Sequence, residues 1–198
     1  LTKVSRFDLC DDGHARHVSV ALGEPAKGAK PLILHNFYVP AGGDIPDPGT
    51  NDKFKHKLDF LDAMTAWSGA QKTKSKNRMI LVGDLNVAPL ETDVWSHKQL
   101  LKVVSHTPPE TERMGRVLAS HDWIDVMREH VPPDEQLFTW WSYRNRDWRA
   151  SNRGRRLDHV WTTPALKGAD KSMRVLDETR DWERTSDHAP VIVDFEIP

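Results

Sequence analysis

Three short stretches of this chain place carboxylates beside groups that can hold or move a proton. Gly83-Asp84-Leu85-Asn86 offers a carboxylate and a carboxamide. Leu157-Asp158-His159 offers a second acid, and Ser186-Asp187-His188-Ala189-Pro190 a third acid next to an imidazole. Each lies against an apolar, strand-like run. Such a set can bind a hard divalent cation through oxygen, activate a water and neutralise a phosphate in one place. The chemistry it suits is metal-assisted hydrolysis of a phosphoester.

Positioning these residues requires strands that end near one another. Arg16 to Leu22 alternates and is β-branched, which predicts a strand. Pro31 to Val39 is a continuous apolar run, the pattern of a strand covered on both faces. Met79 to Val82 predicts a short buried strand that delivers Asp84 and Asn86 at its C-terminal end. Val160-Trp161 and Val191 to Phe195 complete the strands. Asn51 or Asp52 can cap a helix whose Phe54, Leu58, Leu61 and Met64 recur at helical spacing, with Lys and His on its other face. Arg113 to His130 reads as one or two helices, with Val117, Leu118, Trp123, Ile124, Val126 and Met127 as core. Between strand and helix, Pro40 to Asn51 is a Gly- and Pro-rich loop, and a loop that long beside a buried strand is often functional. Gly23 to Lys30 reads as a turn, and Lys72 to Arg78 as a basic linker. Interleaved strands and helices make the class α/β or α+β in layers.

Composition narrows the partners. The 198 residues fit one domain, 1–198, and 38% hydrophobic content supports a core. A net charge of −1 means that any nucleic-acid site must come from a local patch. One such patch exists. Phe138 to Trp161 carries Arg144, Arg146, Arg149, Arg153, Arg155 and Arg156 against Asp147 and Asp158, a local charge of +4. Half of the eight tryptophans, Trp140, Trp141, Trp148 and Trp161, fall in the same segment. Arginine forks suit phosphate and aromatic faces suit bases. The competing reading is a solvated loop with Trp141, and less so Trp140, serving as core. The single cysteine, Cys10, excludes an internal disulfide and fits a reducing compartment. No apolar run is long enough to span a membrane, and no signal peptide is expected.

Taken singly, the motifs are ambiguous. Asp84 and Asn86, two apart on an extended segment, would project to one face, or they could close an Asx turn. Asp187-His188 could be a surface turn. Asp158, flanked by apolar residues, is costly to bury without a partner, and His188 is a natural one because the contact would fix the ring's tautomer and favour its charged form.

Together, the order Gly-Asp-x-Asn, Leu-Asp-His, Ser-Asp-His-Ala-Pro resembles the endonuclease/exonuclease/phosphatase superfamily, and within it the exonuclease III branch. Asn36 to Pro40, Asn51 to Lys55, Gly83 to Pro89, Phe138 to Arg144, Asn152 to Trp161 and Ser186 to Val191 carry the resemblance. It implies a four-layer α/β sandwich of two packed, mostly antiparallel sheets. It implies a Mg²⁺-dependent DNA repair nuclease (Mn²⁺ serving too) with 3′→5′ exonuclease activity on duplex DNA and endonuclease activity at abasic sites. Carried over by position, Asp84 would orient or deprotonate the attacking water and Asn86 would place water or phosphate. His188, paired with Asp158, would stabilise charge on the phosphate, and Tyr38 would face the same group. Asp187, with Asp84 and Asn86, would lie at the metal. Trp140, Arg155 and Leu157 would line a pocket for an extruded abasic sugar, although Arg155 replaces the bulky aromatic of some members. Arg144, Arg153 and Arg156 would grip DNA.

The resemblance also implies an upstream strand with W-N-x-N and another with Q-E-x-K, whose glutamate is a metal ligand. Neither motif occurs in this sequence, so the domain is expected to be incomplete at its N-terminus. A monomer in the bacterial cytoplasm is the expectation for such an enzyme. Two other readings stand beside it: a phosphatase acting on lipid or inositol phosphates, and a DNA-binding fragment without catalysis.

Overall fold

A computed structural model of the chain describes residues 3–23, 30–71, 76–145 and 147–197. Most of the expected Gly23–Lys30 turn, residues 72–75 of the basic linker, and Arg146 lie outside the described residues.

The apolar runs make the centre of a six-stranded sheet. β1 (Lys3–Ser5), β2 (His17–Leu22), β3 (Leu32–Phe37), β4 (Arg78–Asp84), β8 (Asp158–Thr162) and β5 (Ile124–Asp125) lie in that spatial order. Among the described residues only the β3–β4 pair is parallel, and α1 (Asp52–Gly69) makes its crossover. The mostly antiparallel expectation therefore holds. β3 does serve two cores: Phe37 and Ile33 pack with Leu81, Trp161 and the helices, while Leu32 and Leu34 pack with Val160 and the far side.

That far side is covered by β9 (Asp170–Val175) and β10 (Val191–Phe195), an antiparallel pair whose Met173, Val175, Val191 and Val193 close over Ile80 and Val160. The one local signal for β9 is Met173 and Val175, two apolar residues spaced by two after three polar ones. A small ribbon, β6 (Trp140–Trp141) with β7 (Gly154–Arg155), sits beside the end of the main sheet. The stretch from Arg113 to His130 resolves into α3 (Pro108–Ser120), β5, and the short α4 (Val126–His130). Short helices α2 (His97–Leu100) and α5 (Trp148–Ser151) complete the elements. Among the described residues, no helix is long and apolar enough to cross a membrane.

α1 positions as well as packs. The Asn51 side-chain oxygen accepts from the Lys53 N–H and caps the helix. Its amide nitrogen donates to the carbonyls of Gly42 and Ile45 and pins the Pro40–Asn51 loop. Phe54, Leu58, Leu61 and Met64 are buried as expected. Lys57 is not on a solvated face: it is fully buried against Glu110. The tryptophans divide. Trp141, Trp148 and Trp161 are buried in cores, and Trp140 alone of the four is partly open.

Candidate active site

The cleft forms where β4 and β8 end together. These strands pair with Asp84 directly opposite Asp158, so their register sets two acids side by side. Gly83 is required for this. Its φ is +139°, and an added Cβ would lie 1.9 Å from the Phe37 carbonyl oxygen, so only glycine lets β4 approach β3 here.

Asp84 and Asn86 meet through a turn rather than along an extended strand. β4 stops at Asp84, and Asn86 takes φ +53°, a left-handed conformation that asparagine tolerates. The Asn86 N–H donates to Asp84 Oδ1 at 3.0 Å, closing an Asx turn, and its side-chain nitrogen donates to Asp84 Oδ2 at 2.9 Å and to the Val39 carbonyl at 3.0 Å. Of the two alternatives left open by the sequence, the Asx turn is the one formed, and it is this turn, not an extended strand, that brings the two side chains together.

His188 comes from the loop before β10. Its Nδ1 lies 2.8 Å from Asp158 Oδ2, and its Nε2 lies 3.9 Å from Asp84 Oδ2. Thr139 fixes Asp158: its hydroxyl donates to Asp158 Oδ2 at 2.6 Å and accepts from the N–H groups of Leu157 and Asp158. The loop is tied to the ribbon at several points. Ala189 N–H donates to the Thr139 carbonyl, Trp141 N–H to the Asp187 carbonyl, and the Trp140 indole to Asp187 Oδ2 at 2.9 Å. The buried Arg180 guanidinium donates to the carbonyls of both Trp141 and Ser186.

Electrostatics follow from this packing. Burial, and then the Asp158 charge, push the Asp84 carboxyl up to about 6, against the pull of His188, the Asn86 N–H and Lys57. Burial alone would lower the His188 imidazole. The Asp158 hydrogen bond and charge, with Asp84 and Asp187 behind them, reverse this and raise it above its ordinary value. Asp84 and His188 are thus tuned toward each other across the cleft.

The cleft has a volume of about 1070 Å³ and takes in Tyr38, Asp84, Asn86, Trp140, Asp187 and His188. Arg144, Arg153, Arg155 and Leu157 line it too, as do Ala41, Gly43 and Asp44 of the pinned loop. Tyr38 is exposed, with the Arg16 guanidinium 5.2 Å from its ring centroid. Arg155 packs over Trp140 at 5.2 Å and donates to the Val104 carbonyl and to Ser105 Oγ. Arg153 is exposed and lies over Trp95 at 4.8 Å. Arg144 is exposed on the rim.

One expected DNA contact is wrong. Arg156 has no exposed side-chain surface; it bonds Asp93 through Nε and Nη2 and Asp125 through Nη1. Asp93 also takes Arg128. A fork whose nitrogens all bond Asp93 and Asp125 has nothing left for phosphate, so Arg156 belongs to the scaffold. Arg149 is likewise paired, with Asp181 at 2.6 Å. The local charge of +4 therefore overstates the basic surface that the cleft presents.

Several contributors were not singled out by sequence. Lys57 Nζ donates to the Asn86 carbonyl at 2.7 Å and pairs with Glu110 at 2.5 Å. Glu110 in turn accepts from the N–H groups of Ser105 and Thr107. The Thr107-x-x-Glu110 spacing of a capping box was the signal for that glutamate. Thr139, within the Phe138–Arg144 motif, is a further contributor through its hold on Asp158.

The oxygen donors suit a hard cation. Asp84 and Asp187 are carboxylates, and Asn86 keeps its carbonyl oxygen after its nitrogen is used; Mg²⁺ and Mn²⁺ take such ligands. The mutual repulsion of Asp84 and Asp158 is what a cation would relieve.

The sequence pattern of the Endonuclease/Exonuclease/phosphatase family matches residues 6–188. The chain belongs to this family. Among curated relatives it is 27% identical to the exodeoxyribonuclease III of Haemophilus influenzae over 170 residues, covering 83% of this chain and 61% of that protein. It is 34% identical to an exodeoxyribonuclease of Bacillus subtilis over 140 residues, covering 68% and 53%. It thus spans between half and two thirds of the length of these relatives. Among solved structures, a 3′ phosphatase, NExo, from Neisseria bound to product DNA hairpin superposes with TM-score 0.84 at 27% identity, covering 99% of this chain and 71% of that one. An AP endonuclease from Archaeoglobus fulgidus shares the fold, with TM-score 0.83 at 24% identity, covering 98% and 70%. The layered fold and the exonuclease III-like affinity expected from the motifs are both borne out.

Proposed function

We propose that this family member is a divalent-metal-dependent DNA repair nuclease that hydrolyses phosphodiesters, removing nucleotides from 3′ ends and cutting at abasic sites. The observation that carries the reading is the facing pair: Asp84, caged by Asn86, opposite the His188–Asp158 dyad. With its carboxyl pushed up to about 6, Asp84 is ionised at neutral pH yet basic enough to take a proton from water. His188, its charged form favoured by the Asp158 hydrogen bond and charge, would present Nε2 to the phosphate, where charge develops during the displacement. Tyr38 flanks the same space, and Asn86 fixes the water or phosphate. Asp84, Asn86 and Asp187 would hold Mg²⁺ or Mn²⁺, which supplies Lewis acidity and a more acidic bound water. Arg144 and Arg153 would meet the DNA backbone. Trp140, backed by Arg155 and beside Leu157, would wall a pocket for an extruded sugar.

The Neisseria neighbour is named a 3′ phosphatase, and a dyad aimed at one phosphate could equally serve a terminal monoester. The test is a substrate panel in Mg²⁺: duplex with an abasic site, recessed 3′ end or 3′ phosphate, and a soluble inositol phosphate. Turnover of DNA only, abolished by chelator, is expected. Preference for inositol phosphate would replace this reading with a phosphatase acting on lipid or inositol phosphates. DNA binding without turnover would reduce the chain to a binding fragment.

A further inference from the structure

A second cluster of ligand-type side chains lies apart from the cleft. Residues 8–14 read Asp-Leu-Cys-Asp-Asp-Gly-His. The Asp8 carboxylate accepts from the N–H groups of Cys10 at 3.1 Å and Gly13 at 2.6 Å, and Asp11 and Gly13 take positive φ. This turn brings Cys10 and Asp12 to His56, in the second turn of α1. Ligand atoms of Cys10, Asp12 and His56 all lie within 4.8 Å of one another. They line a separate cavity of about 430 Å³ with Asp52, Lys55 and Asp59, and it shares no lining residue with the cleft.

The His56 ring is the second observation. Its Nε2 pairs with Asp12 Oδ2 at 2.6 Å, with the side chain about a quarter exposed. The imidazole and the carboxylate therefore already converge on one point, within reach of the Cys10 sulfur. His14 Nδ1 also lies 3.1 Å from the same Oδ2.

We propose that Cys10, Asp12 and His56 form a binding site for a zinc-class transition-metal ion, with His14 beside them as a fourth donor. Mixed sulfur, nitrogen and oxygen donors select such an ion over Mg²⁺. On binding, the Cys10 thiol proton leaves to solvent and the thiolate ligates, while His56 binds as the neutral ring. Ligation opens the His56–Asp12 approach to the roughly 3.3 Å that separates two donors about 2.0–2.1 Å from one tetrahedral ion. The loop's Phe7, Leu9 and Cys10 already pack against the main core. The ion would therefore fasten the segment between β1 and β2 to α1. The proposal does not depend on the phosphoesterase reading.

The test is Co²⁺ titration of the 198-residue chain in excess Mg²⁺, added to saturate hard-oxygen donors. Cys10 is the single cysteine, so a thiolate-to-cobalt charge-transfer band in the near ultraviolet can arise only there. A saturable band is expected, displaced by Zn²⁺, absent in Cys10→Ser and retained in Asp84→Asn. His56→Ala and Asp12→Ala should each weaken Co²⁺ affinity by about tenfold or more. Circular dichroism of each variant confirms folding, and His56→Gln substitutes if His56→Ala unfolds. No band in the wild type overturns the proposal. Unchanged affinity in both the His56 and Asp12 variants does so as well, because it would mark a solitary surface thiol.

Discussion

Lys57 and Glu110 form an ion pair in which neither side chain has any exposed surface, and it stands directly behind the cleft. Lys57 also holds the Asn86 carbonyl, and Glu110 holds the backbone of Ser105 and Thr107. Breaking a buried pair from one side strands the other charge. Lys57→Met should cost about 3–5 kcal/mol, whereas Lys57→Met with Glu110→Gln should recover most of it, since the amide can keep part of the Thr107 and Ser105 bonding. Urea unfolding of the two single variants and the double variant checks this.

The Asp84–His188 pair predicts where catalysis fails. Asp84→Asn and His188→Asn should each lower turnover by roughly two to four orders of magnitude, the scale of a positioned base or charge stabiliser, while DNA binding survives. Asp158→Asn should act through His188, so combining it with His188→Asn should add little. Single-turnover kinetics read all of these, and near-normal cleavage by His188→Asn would remove the dyad from the mechanism.

The arginines should separate into two classes. Arg144→Ala and Arg153→Ala should weaken binding to all DNA sequences and each lower the salt slope by roughly one unit. Arg156→Ala should leave the slope alone and instead destabilise the fold, because it strips Asp125 of its partner and leaves the buried Asp93 with Arg128 alone. Anisotropy titrations over salt, beside a melting curve, distinguish them.

Trp140→Ala should cost little stability and lower discrimination between an abasic site and intact duplex, because the extruded sugar loses its wall. Parallel binding curves on the two duplexes decide it. Unchanged preference accompanied by a large loss of stability would instead make Trp140 a packing residue.

Acid should unfold the protein partly through its histidines. Burial holds His159 neutral down to about 4. Burial, with the neighbouring His35 charge, lowers His17 to about 3, and burial lowers His35 to about 4. In the unfolded chain each titrates near 6.5. Between these values the unfolded state binds more protons, so stability rises with pH. The contribution is complete above 6.5 and falls away as pH drops toward 4, at up to about 1.4 kcal/mol per pH unit for each group. Denaturant midpoints between pH 7 and 4 should show this slope, and His159→Gln should flatten it.

The sequence by itself determined the central strands, the capped helix α1 and the identity of the reacting groups. Apolar runs and cap residues act locally, and a carboxylate or imidazole keeps its chemistry wherever it is placed. The layered class and the family followed from motif order. Only the tertiary structure decided which charges remain available. Arg156 and Lys57 look like surface cations in sequence, yet Asp93 and Glu110, each more than fifty positions away, bury them. Asp84 faces Asp158 because β4 and β8 pair in one register, and His188 joins them because the loop before β10 is tied to β6. Ion pairing and strand register are long-range contacts that carry no local period, so they leave no mark that spacing along the chain can show.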